Sequence, residues 1–192
     1  MVTSMPDLQF EHDGICRGCA LGKNAKKYIL NSNRRSKEIL DLVHLDICGP
    51  MSTPSLSVFL YYVIFIDNFS RKTWIHFLKS KNETFRKFQE FKALVENQTS
   101  RRIRALRIDN GGEFVSHDFD DFCRGAGIRR ELIVPYNPQQ NGVAERKNKT
   151  ICEAAKAMMC QQDLPSSLWV DTIVPKFTSR MGVRVPSWRK IP

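Results

Sequence analysis

Ile103-Arg104-Ala105-Leu106-Arg107-Ile108-Asp109-Asn110-Gly111-Gly112 reads as an apolar strand, 104–108, that runs into a carboxylate and then a glycine turn. A carboxylate at the end of an apolar strand is costly unless it is paired or bound to metal. Working backwards, Asp46 closes the similar run Leu42-Val43-His44-Leu45. Working forwards, Glu145 opens a helical stretch just after Pro135-Tyr136-Asn137-Pro138-Gln139-Gln140-Asn141-Gly142, and 35 residues (110–144) lie between Asp109 and Glu145. Each acid has a plain structural reading. Asp109 before Asn-Gly-Gly suits a turn, Glu145 suits the first turn of a helix, and Asp46 could bond backbone groups at a strand end. Together, two strand ends and a helix delivering carboxylates point to one site.

The rest of the chain supplies a framework for such a site. Strands are predicted at 42–47, 59–67, 73–78, 104–108 and 131–134, with a hairpin turn at Asn68-Phe69-Ser70-Arg71. A helix after a cap in Asn82-Glu83-Thr84 places Phe85, Phe88, Lys92 and Val95 on one face, with Phe91 beside them. Shorter and longer helices follow at 117–125 and 142–161. Three strands, helix, strand, helix, strand, helix is a mixed α/β layer fold, a five-stranded sheet flanked by helices.

Composition narrows the partners. Thirty Lys and Arg oppose 20 Asp and Glu, a net charge of +10, and the excess is clustered. One block is Lys23, Lys26, Lys27, Arg34, Arg35 and Lys37; a second is Arg101, Arg102, Arg104 and Arg107; a third is Arg146, Lys147 and Lys149. Basic blocks around an acidic triad favour a polyanion, since counterion release supplies sequence-independent affinity. The longest apolar run, 58–66, is too short to span a bilayer, and no secretory signal is visible, so the expectation is an intracellular, soluble protein with no membrane partner. Its cysteines are then expected to be reduced. Only Cys16-Arg17-Gly18-Cys19 has metal-ligand spacing, while Cys48, Cys123, Cys152 and Cys160 read as small buried apolar residues.

The acidic residues have a chemical logic. A phosphodiester under attack develops charge on its attacking and leaving oxygens, and two hard cations about 4 Å apart stabilise both. Such ions prefer oxygen ligands, and clustered carboxylates raise one another's pKa until a cation relieves the repulsion. Asn148 and Lys149 fall three and four residues after Glu145, on its side of the helix, within reach of a phosphate.

At these residues the chain resembles the integrases of copia-type long-terminal-repeat retrotransposons. The resemblance is carried by Leu45-Asp46-Ile47-Cys48-Gly49-Pro50-Met51, by Ile66-Asp67-Asn68-Phe69-Ser70-Arg71, by 106–114 and by 135–148, and covers about residues 15–170. It implies a ribonuclease-H-like fold whose triad, Asp46, Asp109 and Glu145, binds two Mg²⁺ or Mn²⁺. It further implies 3′-end processing of element DNA, then attack of the freed 3′-hydroxyl on target DNA. Asn141, Asn148 and Lys149 occupy positions that resemble DNA-end contacts, Glu113 is given a structural role, and integrases of this type work as multimers on paired DNA ends. Nuclear action is likewise an implication of the resemblance.

Two stretches depart from the family. Cys16, Cys19, Gly22 and Lys23 match half of a His-His-Cys-Cys zinc site, but the upstream histidine pair is missing and His12 is separated from Cys16 by only three residues. Tetrahedral zinc wants four ligands, so the expectation is no stable site, or one completed by His12. Residues 1–38 thus read as the remnant of a zinc module with a basic linker, 39–174 as the catalytic core, and 175–192 as a divergent tail, with Pro175 interrupting the last core helix. A truncated relic that binds nucleic acid without catalysis is the competing function. A nuclease that cuts without joining is a third.

Overall fold

The computed structural model describes residues 36–109, 111, 114, 116–133 and 138–178, without the side chains of 138–141 and 175–178. Five strands form one sheet: β1 (Val43–Cys48), β2 (Tyr61–Asp67), β3 (Thr73–Leu78), β4 (Ala105–Ile108) and β5 (Arg129–Leu132), in the order β3-β2-β1-β4-β5. β1 to β3 form an antiparallel meander, whereas β4 and β5 are parallel to β1. Parallel neighbours need crossovers, and helices supply them. α1 (Thr84–Thr99) lies between β3 and β4 and α2 (His117–Gly125) between β4 and β5, while α3 (Pro138–Gln161) and α4 (Trp169–Thr178) follow β5.

Strand alternation sorts side chains to the two faces. Val43, Leu45, Val63, Phe65, Trp74, Leu78, Leu106 and Ile108 meet Phe88, Phe91 and Val95 of α1 and Phe119 and Cys123 of α2. Phe65 stacks on Phe91 with centroids 4.2 Å apart and planes 5° from parallel. On the opposite face Tyr62, Ile64, Ile66, Ile75 and Phe77 meet Ala144, Ile151 and Ala155 of α3 and Trp169, Val170, Ile173 and Val174 of α4. Both faces of the sheet are therefore covered, which is why β2 reads as a continuous apolar run. Burying each large apolar side chain contributes roughly 1.5–3 kcal/mol.

Local details differ from expectation at five places. α1 buries Phe88, Phe91 and Val95, while Lys92 lies off that stripe and bonds Glu96 at 2.7 Å. Its N-cap, Glu83, makes no side-chain cap bond; instead Thr84 Oγ1 donates to the Lys81 carbonyl at 2.6 Å. β5 starts two residues earlier than predicted, because its pairing with Ala105–Ile108 begins at Arg129. α3 starts at Pro138, a residue whose fixed φ and missing N–H suit a helix's first position. α4 continues through Pro175 to Thr178, so its first turns, with Trp169, Val170, Ile173 and Val174, still cover the sheet.

The hairpin between β2 and β3 is held by Asp67, fully buried. Its Oδ1 accepts from Leu40 N at 2.9 Å, and its Oδ2 from Ser70 N at 2.7 Å and Ser70 Oγ at 2.5 Å. β1 ends where Gly49, at φ +127°, passes the next strand so closely that a Cβ would sit 2.6 Å from the Leu60 carbonyl oxygen. Its peptide to Pro50 is cis.

Candidate active site

Register decides where the carboxylates go. β1 pairs with β4 through Val43↔Leu106 and His44↔Arg107, so two residues further on Asp46 comes level with Asp109. Both then share the face of His44 and Arg107, since side chains two apart on a strand point the same way. That face is the one α3 covers. α3 packs its Ala144, Ile151 and Ala155 on the sheet beside β1, which brings Glu145, exposed, to the rim of the same region.

Asp46 is the centre of this arrangement. Its Oδ1 accepts from Ile47 N at 3.0 Å and its Oδ2 from Asn148 Nδ2 at 2.9 Å. Burial pushes its carboxyl up to about 6, and the Asp109 carboxylate adds to the rise. The Asn148 and Ile47 hydrogen bonds oppose it, and Glu145 contributes a smaller upward push. Three acids thus act on one point. Among the described residues, however, no group of three His, Cys, Asp or Glu side chains is drawn together closely enough to hold a metal ion. The donor set, all hard carboxylate oxygens around a carboxyl that resists ionisation, fits Mg²⁺ or Mn²⁺ in chemistry.

Asn148 is buried, and its amide is spent on Asp46. Its Oδ1 is buried with no hydrogen-bond partner among the described residues. Lys149 is exposed and lies 3.9 Å from Glu153. The side chains of Asn141 and Glu113, and all of Cys16, Cys19 and His12, lie outside the described residues.

The basic blocks fare unequally. Arg101 and Arg104 pair with Glu38 at 2.6 and 3.5 Å, Arg104 also with Asp41 at 2.9 Å, and Arg107 with Glu131 at 2.6 Å. Three of the second block's four arginines therefore have acidic partners within the fold. The third block keeps its charge outward. Arg146 and Lys147, with Arg71, Ile66, Val143 and Thr150, line a cleft of about 290 Å³ beside α3.

The cysteines also correct the sequence reading. Cys123 is buried as expected, but Cys160 is exposed and Cys48 and Cys152 are partly exposed. Cys48 Sγ lies 3.6 Å from Cys152 Sγ, and the Tyr62 hydroxyl 3.3 Å from the latter. A signal existed: Cys48 is two residues past Asp46 on a strand, and Cys152 seven past Glu145 on a helix, so each shares its acid's side.

With fold and site in view, comparison with known proteins is direct. The family described as Integrase core domain matches residues 38–138. The chain belongs to this family and is an integrase core of the kind found in retrotransposon Pol polyproteins, with a ribonuclease-H-like fold. It is 46% identical over 158 residues to the retrovirus-related Pol polyprotein from transposon TNT 1-94 of Nicotiana tabacum, covering 82% of this chain and 12% of that protein. To the corresponding polyprotein from transposon RE2 of Arabidopsis thaliana it is 36% identical over 169 residues, covering 86% of this chain and 11% of the relative. The chain thus spans about an eighth of the relatives it matches. A cryo-EM structure of the simian T-cell lymphotropic virus intasome, in complex with PP2A regulatory subunit B56 gamma, shares the fold. Its TM-score is 0.59 at 19% identity, over 83% of this chain and 59% of that one.

Proposed function

We propose that this chain is the catalytic core of a copia-type integrase that processes 3′ ends of element DNA and joins them to target DNA. The observation that carries the reading is the position of Asp46, a half-buried carboxyl raised by burial and by Asp109 and Glu145 together. A carboxylate placed where it resists ionisation is stabilised when a cation arrives. In this reading Asp46, Asp109 and Glu145 hold two Mg²⁺ or Mn²⁺ ions. When bound, these would activate the attacking hydroxyl and neutralise charge on the leaving oxygen. The chain's own groups do the rest. Asn148 orients Asp46, Asn141 and the exposed Lys149 take phosphates of the DNA end, and the Arg146–Lys147 edge of α3 adds electrostatic attraction. Assembly into multimers on paired ends and action in the nucleus belong to the same proposal.

The test is a strand-transfer and disintegration assay on labelled DNA ends with Mn²⁺. Joining that disappears in Glu145→Gln, with circular dichroism unchanged, is the expected result. Joining by that variant at the wild-type level would refute the assignment. One observation favours a second reading, a nucleic-acid binder without catalysis: the three acids do not close into a metal-holding group among the described residues. DNA binding that is indifferent to chelator, with no joining by folded protein, would select it.

A further inference from the structure

β1 and α3 meet at two sulfur atoms as well as at the Asn148–Asp46 hydrogen bond. Cys48 and Cys152 approach to 3.6 Å across 104 positions of sequence, and the Tyr62 hydroxyl sits 3.3 Å from Cys152 Sγ. Cys48 lies on the face of β1 that carries Asp46. Cys152 lies four residues after Asn148, one turn along α3. Both thiols are partly exposed, so a small oxidant can reach them, whereas Cys123 is buried. A disulfide needs the sulfurs to close from 3.6 Å to about 2.05 Å.

We infer that Cys48 and Cys152 form a dithiol that a peroxide-class oxidant converts to a reversible disulfide, tethering α3 to β1 and keeping the Asn148 amide on Asp46 against cation binding. In the first step one thiolate sulfur attacks the O–O bond of hydrogen peroxide. An S–O bond forms, and the second oxygen leaves and is protonated to water. In the second step the other thiol's sulfur attacks the sulfenic sulfur; the S–S bond forms, and hydroxide leaves with that thiol's proton as a second water. Two thiols and one peroxide give one disulfide and two waters: both sulfurs are oxidised and both peroxide oxygens reduced. A thiol reductant reverses the bond by exchange.

The consequence follows from what the tether joins. α3 carries Glu145 and Asn148, and the end of β1 carries Asp46. Once the two are linked one turn from Asn148, its amide is held on Asp46 Oδ2, the oxygen a cation would take. This consequence rests on the proposed function; the disulfide itself does not.

The test uses the full chain, treated with hydrogen peroxide in chelator, then alkylated and digested with trypsin. Peptides 38–71 and 150–156 are expected as one linked species that dithiothreitol separates. Isothermal titration with Mn²⁺ is expected to show binding lost on oxidation and regained on reduction, and Cys152→Ala to bind Mn²⁺ alike with and without peroxide. Cys152 joined to another cysteine, or both thiols over-oxidised without the 48–152 link, overturns the dithiol. A linked protein that still binds Mn²⁺ overturns the lock. If the reduced protein binds no Mn²⁺ while the link forms, the dithiol stands and the metal-dependent function fails.

Discussion

Asn148 Nδ2, one turn beyond Glu145 on α3, donates to Asp46 Oδ2 on β1 at 2.9 Å. This amide is the only side chain among the described residues that hydrogen-bonds the central carboxyl. It ties helix to sheet at the point where the chemistry is proposed.

Asn148→Ala is therefore expected to cost stability in chelator, by about 1.5–3 kcal/mol for a hydrogen bond to a charged group. In Mn²⁺ the cost is expected to shrink, because a cation satisfies the same oxygen. Urea denaturation in both conditions checks this, and an equal cost in both would show that amide and cation do not compete.

The pH profile carries two opposed contributions. Asp46 is raised from 3.8 to about 6, so the folded state holds the extra proton between those values and stability falls as pH rises through the window. His44, buried, is lowered from 6.5 to about 4, chiefly by burial and against the pull of its bond to Asn68. The unfolded state then holds the extra proton, and stability falls as pH drops from 6.5 towards 4. Between 4 and 6 the two offset one another. Asp46→Asn removes the first, worth at most about 3 kcal/mol at 1.36 kcal/mol per pKa unit. The variant is expected to exceed wild type in stability at pH 7 without metal, and to lose stability steeply on acidification. Parallel pH curves for the two proteins would refute the assignment.

Divalent cation should stabilise the fold through the triad. At 100 times Kd the gain is about 2.7 kcal/mol, which corresponds to a Tm rise of roughly 5–10 °C for a domain of this size. Asp109→Asn is expected to lose most of that rise. Calorimetry with and without Mn²⁺ is the measurement, and an equal rise in the variant would place the ion elsewhere.

DNA affinity should separate the basic blocks. Lys149→Ala is expected to lower the slope of log K against log salt by about 0.9, one phosphate's worth. Arg104→Ala is expected to leave it unchanged, since Glu38 and Asp41 already engage that guanidinium. Fluorescence anisotropy across a salt series distinguishes them, and a smaller slope for Arg104→Ala would return the second block to the DNA surface.

Much of this was legible in the sequence, for reasons that also mark the boundary. β2 is a long apolar run, β3 follows it across a hairpin turn, and the 43–48 and 105–108 strands announce themselves by the acids that follow or interrupt their apolar residues. β5 begins two residues before its predicted start, because Arg129 and Arg130 are charged and depart from the apolar pattern that marks a strand. The ladder to β4, and the ion pairs Arg107–Glu131 and Arg130–Asp120, make them strand. Local periodicity could not choose Phe91 over Lys92 for the core, because both lie near the edge of one helical stripe. Contacts across long stretches were invisible: Glu38 with Arg101 is 63 positions apart and Cys48 with Cys152 is 104. The partition of arginines between fold and solvent depends on such contacts.

The ladder between β1 and β4 has two registered pairs and ends at His44 and Arg107, while β1 stays zipped to β2 as far as Cys48. Beyond that point the sheet forks like a pair of calliper jaws, with Asp46 on one jaw, Asp109 on the other and no rung between them. A rigid scaffold thereby leaves one gap without a rung, placed between two of the three carboxylates of the candidate site.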